Sequence, residues 1–182
     1  MSSNEVITAA LLEKISSIQR RTVRPQLTYR AQTKLVQGLR CAATVRRFPT
    51  FFVDEPLDLG GDDSSVNPME LLLVALGTCQ EIVFSAYAAV MGIPLDAVSV
   101  NVKGFLDIRG MLAMDESIVP GYQHVSYEAL IASSADRAQI RKLVGMVEAH
   151  CPIHDTLSRP IEVMGSVFLN GEPLDARLKN AA

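Results

Sequence analysis

The chain has no tryptophan and few other aromatics, four tyrosines and six phenylalanines in 182 residues. That leaves little from which to build platforms for stacked bases or sugar rings. It also lacks a basic excess. The formal net charge is −3, and although arginines gather between residues 20 and 47, no basic face dominates. Nucleic acid is therefore not an expected partner. Long uninterrupted apolar runs are missing too: the most apolar segment is broken by Gly77, Cys79, Gln80 and Glu81. No membrane span is expected. The first residues, Met1-Ser-Ser-Asn-Glu-Val-Ile7, do not have the basic start and apolar centre of a secretory signal. The three cysteines are odd in number and form no CxxC. This argues against a secreted disulfide scaffold and for a reducing compartment, the cytoplasm, where a disulfide is transient and functional. There is no glycine-rich phosphate loop and no GxSxG.

The apolar content, 48%, is ordinary for a globular chain of this length, which predicts one main domain with a substantial core. Residues 5–19 carry Val6, Ile7, Ala10, Leu11, Ile15 and Ile18 at helical spacing. We read residues 1–23 as an N-terminal helical extension and 24–182 as a single domain. Strands are expected within 26–53, with a turn at Gln37-Gly38 and an edge or bulge at Pro49. Residues 54–66 read as a loop. Asn67, Pro68 and Glu70 then supply an N-cap, an N1 proline and an N3 carboxylate. The helix they start should run to Met91 and stop at Gly92, with Gly77 as a candidate bend. Strands follow at 97–108 and 122–132, a helix at 135–149 and a last strand at 160–169. The order predicts an α+β fold with helices packed on largely antiparallel sheet.

Two thiols stand out. Cys79 lies inside the long apolar helix, and Cys151 follows the second one in His150-Cys-Pro-Ile-His-Asp-Thr-Leu157. A free cysteine in an apolar helix is most often a small hydrophobe. A reactive Cys79 would gain little from the helix dipole at mid-helix, so it would need a nearby cation. Arginine suits that task, and Arg46 and Arg47 stand near a strand end. Alternation turns them to opposite faces. Cys151, at a helix C-terminus, is a poor first nucleophile but a competent resolving thiol. Glu70 serves as a capping carboxylate and has a second oxygen free to hold an arginine. Glu70 and Cys79, nine residues apart, would sit about 13 Å apart and face opposite sides of a straight helix. One arginine reaching both requires a bend at Gly77 or a second subunit. His150, Cys151 and His154, with Cys79 or His124, suggest zinc as a rival, but the chain has neither CxxC nor a helical HxxxH, and Pro152 interrupts the spacing.

Taken in order, Asp54-Glu-Pro, Leu59-Gly-Gly, Asn67-Pro-Met-Glu-Leu-Leu, Ala75-Leu-Gly-Thr-Cys79, Gly92-Ile-Pro-Leu and Cys151-Pro-Ile-His-Asp-Thr-Leu157 resemble the OsmC/Ohr family (osmotically inducible protein C and organic hydroperoxide resistance protein). The resemblance covers roughly residues 30–170. It implies an intertwined homodimer in which antiparallel sheets from both chains wrap around long central helices. It implies a thiol peroxidase that uses no metal, flavin or other cofactor. Cys79 corresponds to the peroxidatic cysteine, Cys151 to the resolving one, Glu70 to the glutamate of the Asn-Pro-x-Glu motif, and Arg46, with Arg47 as the alternative, to the arginine of an early strand. The implied partners are an organic hydroperoxide and a dithiol reductant of lipoyl type. The Cys-Pro-Ile-His sequence is closer to the OsmC-like branch than to the Ohr branch. The competing reading is a redox-silent dimeric binding or stress-related protein of the same fold. Glu81, about 200° around the helix from Cys79, is expected to face another partner.

Overall fold

In the computed structural model of the chain, which describes residues 2–174, one long apolar helix organises everything else. This helix, α2, spans Pro68–Met91. Its start is the predicted capping box: the Asn67 side chain accepts the Glu70 N–H, and the Glu70 carboxylate accepts the Asn67 N–H, both at 2.8 Å. Its end is Gly92, in the left-handed region at φ 65°, which a residue without Cβ adopts at no steric cost. By length and composition α2 could cross a membrane, yet its Phe84 and Ala88 are core residues.

The N-terminal helix α1 (Ser3–Gln19) packs on α2. A three-stranded antiparallel sheet follows, with β1 (Gln32–Gln37), β2 (Arg40–Thr44) and β3 (Phe51–Val53) side by side in chain order. The Gly38 turn joins β1 and β2 as expected. The strand read through Arg46 and Pro49 is instead broken after Thr44 by a turn, in which the Phe48 N–H donates to the Val45 carbonyl at 3.1 Å. The loop after β3 is held by Asp54. This buried carboxylate accepts from the N–H groups of Glu55, Asp62 and Ser64 and from the Ser64 hydroxyl.

Beyond α2, β4 (Ala97–Phe105) and β5 (His124–Ala132) form a nine-pair antiparallel ribbon. Both alternate between exposed and half-buried residues, so Val98, Val100 and Val102 face inward opposite Ile131, Ala129 and Tyr127. A short helix, α3 (Ile108–Met111), sits in the expected linker between them. The helix α4 (Arg137–His150) packs on α2, and a further short helix, α5 (Pro152–Ser158), follows without a loop. The core is made by Phe84, Ala88 and Ile93 against Leu143 and Val147 of α4. Each such large side chain contributes about 1.5–3 kcal/mol on full burial.

Gly77 does not interrupt α2. It is buried where β4 comes closest: a Cβ there would meet Val102 Cγ2 at 3.3 Å and the Val100 carbonyl oxygen at 3.5 Å. The glycine admits the close approach of β4. Glu81 completes that seam, its Oε1 accepting the Val100 N–H at 3.0 Å. The last expected strand is shorter than predicted. Residues 160–166 carry no regular structure, and only β6 (Val167–Leu169) pairs, with β7 (Glu172–Leu174). Alternating side chains show which way residues point, not whether another strand lies alongside.

Candidate active site: a pair of thiols at a helix junction

Cys151 is the C-cap of α4 and the N-cap of α5 at once. Its N–H donates to the Val147 carbonyl at 2.9 Å and so closes α4. Its carbonyl accepts the Asp155 N–H at 3.0 Å and so opens α5. Its backbone is extended at φ −74°, ψ 114°, and Pro152 occupies the first position of α5, where no N–H is needed. The sequence reading sees the proline as an interruption; it is the start of a second helix. This junction turns the Cys151 side chain inward, where the residue is 1% exposed.

Across from it lies Cys79, half-buried on α2, with the two sulfurs 3.4 Å apart. A disulfide bond is about 2.05 Å long. The thiols are thus in contact, short of bonding by little more than an ångström. Burial is the largest influence on the Cys79 thiol and pushes its pKa above the ordinary value. A hydrogen bond from the Ile153 N–H pulls it down, and Cys151 pushes it up; a cation is not among the causes.

The other two expected site residues lie elsewhere within this chain. Glu70 is committed to the capping box at the start of α2. It stands near Tyr122, whose hydroxyl donates to the Met69 carbonyl at 3.0 Å and is pushed up in pKa by burial and then by the Glu70 charge. Tyr122 needs Gly104 on β4, since a Cβ there would run into its ring at 2.3 Å. Arg46 is exposed in the turn after β2, at a left-handed φ of 51°, with its guanidinium 4.6 Å above the Phe48 ring. Arg47 is exposed beside it. The structure therefore joins Cys79 with Cys151 and leaves both arginines in the exposed turn between β2 and β3.

The histidines do not converge. His150 packs on Tyr87 and places Nδ1 2.9 Å from the Met146 carbonyl oxygen. His124 stacks on Phe105, and His154 stands edge-on to Tyr127. Among the described residues no group of three or more His, Cys, Asp or Glu side chains gathers as a metal cage would require.

Sequence reasoning missed Gln80 and Tyr127. Gln80, next to Cys79, is 1% exposed. It lies near Tyr127, whose hydroxyl donates to Glu148 Oε1 at 3.5 Å; burial and then the Glu148 charge push the Tyr127 pKa up, and the Gln80 side chain pulls it down. The alternation of β5 marks Tyr127 as inward-facing, but nothing in the sequence pairs it with Gln80. A cavity of about 510 Å³ lies alongside, between α2, β5 and α5, lined among others by Met69, Leu72, Leu76, Tyr122, Tyr127 and Leu157.

A mixed antiparallel-sheet and helix fold with two thiols in contact defines the class: an α+β protein with the OsmC fold. Its sequence matches the family described as "OsmC-like protein" over residues 61–164, more than half of the chain, and the chain belongs to that family. Solved structures with this fold include an OsmC-like protein from Mycoplasma pneumoniae (TM-score 0.63, 19% identity, covering 73% of this chain and 89% of that one). Another, from Legionella pneumophila, is described as an organic hydroperoxide resistance protein OsmC, and has a TM-score of 0.57 and 20% identity over 74% of this chain and 91% of that one. An organic hydroperoxide resistance protein from Elizabethkingia anophelis, with thiocyanate bound, has a TM-score of 0.55 and 18% identity over 73% and 89% of the two chains. Among curated proteins no relative matches.

Proposed function

We propose that the protein is a thiol-dependent peroxidase that reduces organic hydroperoxides, with Cys79 as nucleophile and Cys151 as resolving thiol. The observation that carries this reading is the 3.4 Å separation of two sulfurs 72 residues apart in sequence. The Cys79 thiolate attacks the terminal peroxide oxygen and breaks the O–O bond. The alkoxide leaves and takes a proton to become the alcohol, while Cys79 becomes a sulfenic acid. The Cys151 sulfur then attacks the Cys79 sulfur; the hydroxyl departs with the Cys151 proton as water, and a disulfide remains. An external dithiol of lipoyl type reduces it, becoming a disulfide itself.

The site is completed in a homodimer. Burial alone disfavours the Cys79 thiolate, and Arg46 of a second copy would supply the missing cation, with Glu70 holding the guanidinium. Two observations support the second copy. Leu35 and Val36 of β1 and Phe51 and Phe52 of β3 are exposed, the two phenylalanines by 44% and 39%, a cluster of apolar side chains on one sheet that a monomer has no reason to display. Moreover, the most apolar 18 residues of α2, with a mean hydropathy of 1.6, are only 28% buried within one chain. The extension at 1–23, the domain at 24–182 and a cytoplasmic, reducing setting complete the proposal.

Cumene hydroperoxide added to the reduced protein tests it. Wild type should lose two thiols per chain, and Cys79→Ser should lose none. An unchanged thiol count in wild type leaves a redox-silent binding protein of the same fold.

A further inference from the structure

Charge is divided unevenly along this chain. From Lys14 to Val53 there are nine lysines and arginines and no aspartate or glutamate, in a protein of net charge −3. The strand register gathers part of that local excess on one face of the first sheet. Gln32 pairs with Thr44, Lys34 with Ala42, and Ala42 with Phe52. Alternation puts these side chains on the same face, together with Arg40, two residues before Ala42. The apolar Leu35 and Phe51 point to the other face, so a second copy seated on those two need not cover the cations.

Two clefts lie there, and both reach Gln32 and Thr44. One, of about 530 Å³, is also lined by Tyr29, Arg30 and Arg46. The other, of about 610 Å³, adds Lys34 and Thr50. Among the described residues no carboxylate lines either cleft. The ion pairs among those residues engage Arg20, Arg109 and Arg159, so Arg30, Lys34 and Arg40 stand without a counter-charge. Arg40 carries a further signal. Its guanidinium lies 4.1 Å above the Phe52 ring, and its Nε is buried with no acceptor. A buried donor left unpaired costs about 1–3 kcal/mol, and an oxyanion on this face would meet it. The Thr50 hydroxyl and the Gln32 amide offer neutral donors beside the charges.

We propose that this face of the β1–β3 sheet binds a small polyanion, a ligand with two or more phosphate or carboxylate groups, through Arg30, Lys34 and Arg40. More than one anionic group is required because the cations are spread along two contiguous clefts and do not converge on one point. Each guanidinium fork grips an oxyanion through paired N–H groups, and the lysine adds a point charge. Arg46, assigned above to the thiol site, stands at the rim and is not needed. Binding here uses neither Cys79 nor Cys151.

Isothermal titration calorimetry of the full-length protein at physiological salt tests this, with pyrophosphate, citrate and acetate as probes. Wild type should bind pyrophosphate or citrate with a Kd below about 1 mM. Acetate, with a single charge, should bind at least about tenfold more weakly. Arg30→Gln, Lys34→Gln and Arg40→Gln should each weaken the better probe about tenfold, the value of a charge-assisted hydrogen bond. Arg141→Gln removes the same charge from the exposed surface of α4 and should stay within about twofold of wild type. Binding of pyrophosphate alone identifies a phosphate-bearing ligand, of citrate alone a carboxylate-bearing one, and of both a site that reads charge and spacing. Binding of neither overturns the proposal. So does acetate bound as tightly as the better probe, or Arg30→Gln and Lys34→Gln variants no weaker than Arg141→Gln. If Arg40→Gln shows no cooperative thermal transition, the two variants at exposed positions decide. Cys79→Ser should bind as wild type does, so this site stands or falls apart from the peroxidase reading.

Discussion

Cys79 illustrates how one side chain's chemistry depends on what surrounds it. Burial raises its pKa and the Ile153 N–H lowers it, with burial the larger effect. The sign matters for rate, since the thiolate is the attacking species and a raised pKa leaves less of it at pH 7. In the proposed dimer the Arg46 charge reverses that sign. Arg46→Ala should therefore move the pH–rate profile of Cys79 alkylation to higher pH, and lower the peroxide rate constant at pH 7 by about tenfold or more. Iodoacetamide kinetics across pH, on wild type and variant, check this directly; superimposable profiles would remove Arg46 from the site.

Among the elements, the loop between β3 and α2 depends most on a single group. Asp54 is buried and accepts four hydrogen bonds from that loop. The Ser64 hydroxyl is the largest influence, and it brings the carboxyl below its ordinary value of 3.8 although burial opposes this. A carboxyl with a lower pKa folded than unfolded stabilises the fold fully above about pH 4, and that stability is lost as pH falls through the folded value. Thermal melts from pH 7 down to pH 2.5 should show this loss in wild type. Asp54→Asn should have a lower midpoint at pH 7 and a flatter acid limb. Equal slopes would mean the loop's order does not rest on this charge.

The elements also show how far patterns reach. The capping box and glycine stop of α2 were legible because each is a local hydrogen-bonding arrangement among residues in sequence contact. The alternation of β4 and β5 was legible for the same reason. α5 was not, since a seven-residue helix has too few turns to produce a period, and Pro152 read as a break when it is a helix start. The close approach at Gly77 was not legible either. A glycine in an apolar helix has the same local signature whether it bends the helix or admits a neighbouring strand, and only the position of Val100 and Val102 distinguishes the two.

For the whole molecule, the open sheet β1–β3 and the incompletely covered α2 point to a second copy. The 19.8 kDa chain should run as a dimer in light scattering. If each site takes Cys79 from one chain and Arg46 from its partner, then co-expressed Arg46→Ala and Cys79→Ser chains should recover activity that neither variant has alone. Random pairing makes half of the dimers mixed, each with one intact site, so about a quarter of wild-type activity is expected. No recovery would remove the partner's arginine from the site.

The sequence by itself determined the α+β class, the limits and caps of the main helix, the family and the two candidate thiols. These follow from periods, caps and motifs, all of which are written in short windows of chain. Tertiary structure alone decided that the two sulfurs touch, that Gln80 lies near Tyr127 beside them, and that Arg46 stands apart from them within one chain. Those are distances between residues remote in sequence, set by how helices and sheets pack, and no local pattern encodes them.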